Sequence, residues 1–239
     1  MFVGGLEKLS LLDYPGQVAA IIFTQGCNFR CHFCYNPMLV LPQSKTNIKQ
    51  KVLSLISEDS LFAFLAKRVG KLDAVVITGG EPTIHQDLPE FIAKIKALGL
   101  LVKLDTNGTN SAMLENLINE RLIDYLAMDV KAPWDKYANV VGVKLDLSKV
   151  KKSVKIIMNS GLPYEFRTTV APALLTPGDI TALAGQLKGA RAWYLQKFES
   201  HKDLVDPGFQ GAKSYSHKEM RELAKTAAAI AGNCVYREY

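Results

Sequence analysis

The chain has little cysteine, no long apolar run and no extreme of charge. Four cysteines in 239 residues are too few for a disulfide scaffold. No stretch approaches the roughly 20 uninterrupted apolar residues of a membrane span. The opening Met-Phe-Val-Gly-Gly-Leu-Glu-Lys lacks a basic region followed by an apolar segment, so no secretory signal is read. There is no internal repeat, no low-complexity tract and no linker rich in Gly, Ser and Pro. A net charge of +6 is mildly basic. It suits an anionic ligand, an acidic partner or nucleic acid without choosing among them. With 48% apolar and 22% charged residues, the composition is that of an ordinary soluble globular protein. A cytoplasmic setting is expected, where thiols stay reduced and a tight cysteine group reads as metal-binding.

Three of the four cysteines form such a group. Cys27, Cys31 and Cys34 lie in a C-x3-C-x2-C run directly after the apolar stretch Val18–Phe23. Iron–sulfur clusters usually take four cysteine ligands. Three would leave one iron open, and an open metal position is where a ligand can bind and chemistry start. A structural zinc site or plain buried thiols are the alternatives. Zinc needs a fourth ligand, and Cys234 lies far off near the C-terminus, where it reads as a packing residue.

Short apolar runs alternate with helix-like stretches along the chain. The runs are Val18–Phe23, Ala74–Thr78, Leu100–Asp105, Tyr125–Val130, Tyr164–Val170 and Ala192–Phe198. Between them Asp59–Val69, Asp87–Leu98, Ser111–Arg121, Ser148–Ser160 and Pro177–Leu187 carry apolar residues near helical spacing. A last helix, Ser216–Ala231, stops at Gly232-Asn233. Six strands alternating with helices predict an α/β fold: a parallel sheet with helices outside it. Asp13-Tyr14-Pro15-Gly16 is a turn signal that pairs Leu6–Leu12 antiparallel to Val18–Phe23. Leu41–Lys51 reads as a loop leaving the cysteine region.

Ligands gather at the C-terminal ends of strands in such folds, and the polar clusters fall there. After the second strand come Gly79, Gly80, Glu81 and Pro82. The glycines let a backbone approach a ligand, and Glu81 offers a carboxylate for an ammonium group. The same four residues would also make a tight turn with a solvated Glu. Asp105-Thr106-Asn107-Gly108 ends the third strand, and could equally be a turn at the start of a helix. Asp129 and Lys131 close the fourth. The carboxylates suit ribose hydroxyls or a cation, and Lys131 suits an anion, or the two form a salt bridge. Arg167, inside an apolar strand, needs an anionic partner: a ligand carboxylate, or Glu165.

Taken together these motifs resemble a known family. The three cysteines, with Phe33 just before the last, resemble the radical S-adenosylmethionine signature, and Gly79-Gly80-Glu81-Pro82 its second motif. Leu11–Gly16, Phe23–Asn28, Leu104–Gly108 and Ala127–Pro133 together resemble the activating proteins of anaerobic ribonucleoside-triphosphate reductases, which generate glycyl radicals. The resemblance runs from about residue 6 to Phe198. It implies a partial (β/α)6 TIM-type barrel within a single domain, residues 1–239, with a core of about 15–200 and a C-terminal extension of about 201–239. It implies a [4Fe-4S] cluster on Cys27, Cys31 and Cys34, with S-adenosylmethionine chelated at the open iron. Phe33 would lie near the adenine. Gly79, Gly80 and Glu81 would meet the methionine ammonium, and Asp129 and Lys131 the ribose and carboxylate end. Asp105, Thr106 and Asp129 match positions that bind a monovalent cation in relatives, and Asn107 belongs to the same motif. Arg167 would reach toward the methionine moiety or the substrate.

The activity implied is reductive cleavage of S-adenosylmethionine to a 5′-deoxyadenosyl radical that abstracts hydrogen from a glycine of a partner enzyme. Flavodoxin or ferredoxin would supply the electron. No membrane or nucleic-acid partner is expected. A small molecule or RNA as substrate is the alternative enzyme reading, and a non-catalytic iron–sulfur or zinc protein the alternative of another class.

Overall fold

The computed structural model describes residues 1–40 and 55–238. The predicted loop Leu41–Lys51 lies outside them. Eight strands form one sheet in sequence order: β1 (Val3–Ser10), β2 (Ala19–Thr24), β3 (Ala74–Gly79), β4 (Leu101–Thr106), β5 (Tyr125–Asp129), β6 (Tyr164–Val170), β7 (Trp193–Lys197) and β8 (Val235–Tyr236). β1 runs antiparallel to β2, and every later pair is parallel. The helices are α1 (Pro37–Val40), α2 (Glu58–Ala66), α3 (Leu88–Lys96), α4 (Ser111–Asn119), α5 (Tyr137–Val141), α6 (Leu147–Asn159), α7 (Pro177–Gln186) and α8 (His217–Ala231). The six predicted strands are β2 to β7, and the six predicted helices are α2, α3, α4, α6, α7 and α8. The sheet is the predicted partial barrel with the predicted antiparallel hairpin, whose first strand runs Val3–Ser10 rather than Leu6–Leu12, and one addition, the short β8.

Apolar spacing explains which face each helix buries. α3 buries Leu88, Phe91, Ile92 and Ile95, one stripe at three- and four-residue intervals. α8 does the same with Met220, Leu223, Ala224, Ala227 and Ala231. Capping boxes start α7 at Thr176/Asp179 and α8 at Ser216/Glu219. The stripes pack on the outward side chains of the strands, such as Val75, Ile77, Val102, Leu104, Leu126 and Met128. Each buried Leu, Ile or Val there contributes roughly 1.5–3 kcal/mol.

The inward face differs. A second, smaller apolar cluster joins Tyr14, Ala19, Ile21, Ala74 and Val76. These residues sit at the starts of β2 and β3, so they fill the end of the barrel opposite the strand C-termini. Tyr14 arrives there from the predicted turn, where Gln17 N–H donates to the Tyr14 carbonyl at 3.2 Å and Gly16 takes φ +73°. Pro15 and Gly16 therefore occupy the second and third turn positions, as their chemistry favours. Beyond it the inward face carries the charged residues Lys103, Asp105, Glu165 and Arg167.

Candidate functional site

A cavity of about 700 Å³ opens inside the barrel, lined by residues from the strand C-termini and their loops. The residues the resemblance assigns to the cluster and its ligand all line it: Cys27, Cys31, Phe33, Cys34, Gly79, Gly80, Glu81, Asp105, Thr106, Asn107, Asp129, Lys131 and Arg167.

The cysteine loop is shaped by backbone bonds rather than by regular structure. Gly26 N–H donates to the Leu39 carbonyl at 2.7 Å, Arg30 N–H to Val141 at 2.9 Å, and Cys34 N–H to Cys31 at 3.1 Å. The Arg30 guanidinium donates to the carbonyls of Cys27 and Phe29 at 2.7 and 2.6 Å. From the far end of the chain, Val205 N–H donates to the Cys34 carbonyl at 3.0 Å. His32 turns outward to Asp206 at 2.8 Å and the Asn139 carbonyl at 3.2 Å, and stacks on Phe209. Asn28 takes a hydrogen bond from the Asn107 side chain at 2.8 Å and gives one to Thr109.

The glycine motif packs on this loop. Gly79 takes φ +108°, and a Cβ there would lie 2.5 Å from the Thr24 nitrogen. A Cβ on Gly80 would overlap the Gly26 carbonyl oxygen. Only glycines allow so close an approach. Glu81 N–H then donates to that same carbonyl at 2.8 Å.

The Glu81 carboxylate, expected to meet an ammonium group, accepts four hydrogen bonds from the protein. One oxygen accepts from Thr83 N–H at 3.1 Å, Thr83 Oγ1 at 2.5 Å and Thr106 Oγ1 at 2.7 Å; the other accepts from Asn107 N–H at 2.6 Å. It ties the β3 loop to the β4 loop. Burial raises its carboxyl above the usual range, against the four hydrogen bonds that favour the ionised form.

Arg167, for which an anionic partner is expected, meets carboxylates of the protein. Its Nε donates to Asp129 at 2.9 Å and its Nη1 to Asp105 at 2.8 Å, while Glu165 is 3.9 Å away. The guanidinium thus stands between the two carboxylates to which a monovalent cation was assigned. Thr106, the third expected cation ligand, is turned to Glu81. Lys131 pairs with Asp129 at 3.1 Å, and its ammonium lies 5.8 Å from the centre of the Phe33 ring. Burial alone would raise Asp105 and Asp129. Arg167, helped by Lys103 at Asp105 and by Lys131 at Asp129, holds both below the usual carboxylate range. Lys131 and Arg167 are correspondingly raised against their own burial.

Beneath this layer lie Lys103 and Arg237, which sequence reading passed over, and Glu165, which it named only as a partner for Arg167. Lys103 is buried in β4, donates to the Asp13 carbonyl at 2.6 Å and pairs with Asp105 at 3.1 Å. Glu165, buried in β6, receives both Nη groups of Arg237 at 3.1 and 2.6 Å. Arg237 comes from just beyond β8 and stacks on Tyr194 at 3.7 Å. A signal was present. Lys103 and Asp105, like Glu165 and Arg167, are two apart in apolar strands, so each pair shares the inward face. Nothing local marked Arg237.

The donor set fits a thiolate-bound group. Burial pushes Cys27 up to about 11 and Cys31 up to about 12, and Cys34 upward too. The free thiols hold their protons at neutral pH, so a metal must displace them. Among the described residues no three His, Cys, Asp or Glu side chains are arranged around a single metal ion. The cysteines line the wall of a cavity large enough for a cluster together with an organic ligand.

Comparison with known proteins agrees with this geometry. The family model of the Radical SAM superfamily matches residues 21–180. A Methanocaldococcus jannaschii protein named "Putative glycyl-radical enzyme activating enzyme" is 37% identical, across 98% of this chain and 95% of its own length. A Clostridium pasteurianum pyruvate formate-lyase-activating enzyme is 26% identical, across 79% of this chain and 77% of its own. Among solved structures, Escherichia coli QueE superposes on 100% of this chain and 94% of its own, with TM-score 0.59 at 16% identity. Streptococcus suis SuiB bound to S-adenosylmethionine superposes with TM-score 0.64 at 15% identity, and this chain spans about half of it, 52%. At such identities the two structures speak for the fold.

Proposed function

The chain belongs to the radical SAM superfamily, and from that premise we propose that it activates a glycyl radical enzyme. The observation that carries this reading is the three-thiol loop at one wall of the cavity, facing the Gly-Gly-Glu turn and the charged strand ends. Membership implies a [4Fe-4S] cluster and S-adenosylmethionine, which when bound supply one-electron cleavage of the S–C5′ bond and a 5′-deoxyadenosyl radical.

The chain's own residues then have defined tasks. Cys27, Cys31 and Cys34 would hold the cluster, and with three thiols in the motif the organic ligand would complete the set. Gly79 and Gly80 lower the wall so that backbone can approach its amino acid end, while Glu81 locks that turn to Thr106 and Asn107. Asp129 and Lys131 offer an acceptor and a cation for ribose hydroxyls and carboxylate, with Arg167 keeping Asp129 ionised. Phe29, Phe33 and Tyr35 line the cysteine side and exclude water from a site that must protect a reactive radical. No side chain is needed as an acid or base.

A one-electron donor of the flavodoxin or ferredoxin type completes the scheme. We treat residues 1–239 as one cytoplasmic domain, with the extension after residue 200 returning to the sheet at β8. Among the described residues no helix is long and apolar enough to cross a membrane.

The near full-length similarity to a protein named for glycyl-radical activation favours a protein substrate over a small molecule or RNA. The test is anaerobic incubation of the reconstituted protein with S-adenosylmethionine, dithionite and the glycyl radical enzyme of the same organism. A glycine-centred doublet in the electron spin resonance spectrum is expected. A silent partner, alongside intact cleavage of S-adenosylmethionine, would move the activity to another substrate.

A further inference from the structure

The cavity wall continues past Arg167 onto the ends of β6 and β7. Thr169 and Gln196 are register partners there, one inward step beyond the partners Arg167 and Tyr194. That step is about 7 Å along a strand. Both residues line the cavity and both are partly buried. Among the described residues neither side chain has a hydrogen-bond or ionic partner. Their neighbours on the same wall are engaged. Arg237 holds Glu165, His201 meets Glu199 at 3.4 Å, Tyr236 bonds His217 at 2.8 Å, and the Lys202 ammonium sits 4.9 Å from the centre of the Tyr35 ring.

A neutral amide and a hydroxyl, side by side, partly exposed and without a partner in the protein, suit a neutral polar ligand. Leaving such groups unpaired as a site desolvates costs roughly 1–3 kcal/mol each. The Gln side chain carries a carbonyl acceptor and an NH2 donor in one plane. A residue in an extended chain turns its own N–H and C=O to the same side, the pattern by which paired strands exchange two hydrogen bonds. Gln196 can close the same pair of bonds, with the Thr169 hydroxyl beside it as donor or acceptor.

We propose that Thr169 and Gln196 form a docking step for the main chain of an extended substrate polypeptide, with Gln196 pairing to the N–H and C=O of one residue. This rests on the glycyl-radical-activating reading above and assigns two residues to holding its polypeptide substrate. The held residue lies one strand step from the Asp129–Arg167 pair, close to where the ribose end of the cofactor is assigned. The charged groups of the wall are occupied elsewhere, so recognition at this step is of backbone rather than of side-chain charge.

The experiment compares two probes by calorimetric titration into the reconstituted full chain with S-adenosylmethionine present. One is the capped peptide acetyl-Ala-Ala-Gly-Ala-Ala-amide. The other is its ester analogue, in which oxygen replaces the glycine N–H. The wild type is expected to bind the ester about tenfold more weakly. Gln196→Leu should bind both alike, because its partner for that N–H is gone; Gln196→Met, of similar length, serves should the leucine variant not fold. Gln196→Glu should keep the penalty, since a carboxylate still accepts from N–H. An equal ester penalty in wild type and Gln196→Leu overturns the proposal. So does a wild type that cleaves S-adenosylmethionine yet binds neither probe. Failure of the radical SAM reading shows separately, as no 5′-deoxyadenosine from wild type given S-adenosylmethionine and dithionite without peptide.

Discussion

Arg167 gathers more of the site than any other single side chain. It holds Asp105 and Asp129 in one planar fork, a geometry that a lysine ammonium cannot reproduce. Arg167→Lys should therefore leave one buried carboxylate poorly paired. A loss of about 2 kcal/mol in urea unfolding is expected, with weaker S-adenosylmethionine binding. An unchanged midpoint would mean that Lys103 and Lys131 suffice. Gly80 makes a sharper case. Gly80→Ala drives a methyl group into the Gly26 carbonyl one residue before Cys27, so iron incorporated per chain should fall well below wild type. Gly185→Ala, in α7 with nothing within 4 Å of the added carbon, should incorporate iron normally and gain slightly in helix stability. Equal iron in the two variants would show that the close approach does not shape the loop.

At the scale of elements, the end of the chain is built into the site. β8 is two residues long, yet it brings Arg237 against Glu165, a carboxylate only 1% exposed. Removing the guanidinium leaves that charge buried with Lys103 4.0 Å away and Arg167 3.9 Å away. Arg167 would be drawn toward Glu165 and away from Asp129. Arg237→Ala should lower the melting temperature and raise the S-adenosylmethionine concentration needed for half-maximal binding. A variant with lower melting temperature and unaltered binding would confine Arg237 to a packing role. Elements also mark where sequence reading stopped. Strands β2 to β7 were legible because short runs rich in apolar and β-branched residues alternate with helix-periodic stretches. β8 was not, because a two-residue strand has no periodicity. α5, five residues long, is too short to show a helical stripe. Cysteine spacing disclosed the thiol loop, but not that Val205 and Asp206 fasten it, since nothing local records a contact across the length of the chain.

For the whole molecule, the barrel interior divides into an apolar plug at Tyr14 and a charged layer above it. That division sets the response to acid. Asp105 and Asp129 are held below their unfolded values, so the stability they contribute is full above those values and lost as pH falls toward the folded ones. Glu81 is raised and acts in the opposite sense, favouring the folded state as it takes up a proton. Where Asp105 and Asp129 take up protons the urea midpoint should decline, below about pH 4. A midpoint that rises between pH 5 and pH 3 would show Glu81 to dominate. The roles of Glu81 and Arg167 were the least legible in the sequence. Motif position marked both for a ligand, whereas their hydrogen bonds turn them toward the protein's own loops and carboxylates. Ligand binding here is thus prepared by side chains that fix other side chains.

The central claim is that Cys27, Cys31 and Cys34 support radical cleavage of S-adenosylmethionine. It is tested most directly by reconstituting wild type and Cys27→Ala anaerobically with iron and sulfide, adding dithionite and S-adenosylmethionine, and assaying 5′-deoxyadenosine. The account predicts visible cluster absorption and 5′-deoxyadenosine from wild type, and neither from Cys27→Ala. No 5′-deoxyadenosine from a wild type that carries the cluster, or equal amounts from both proteins, would contradict it.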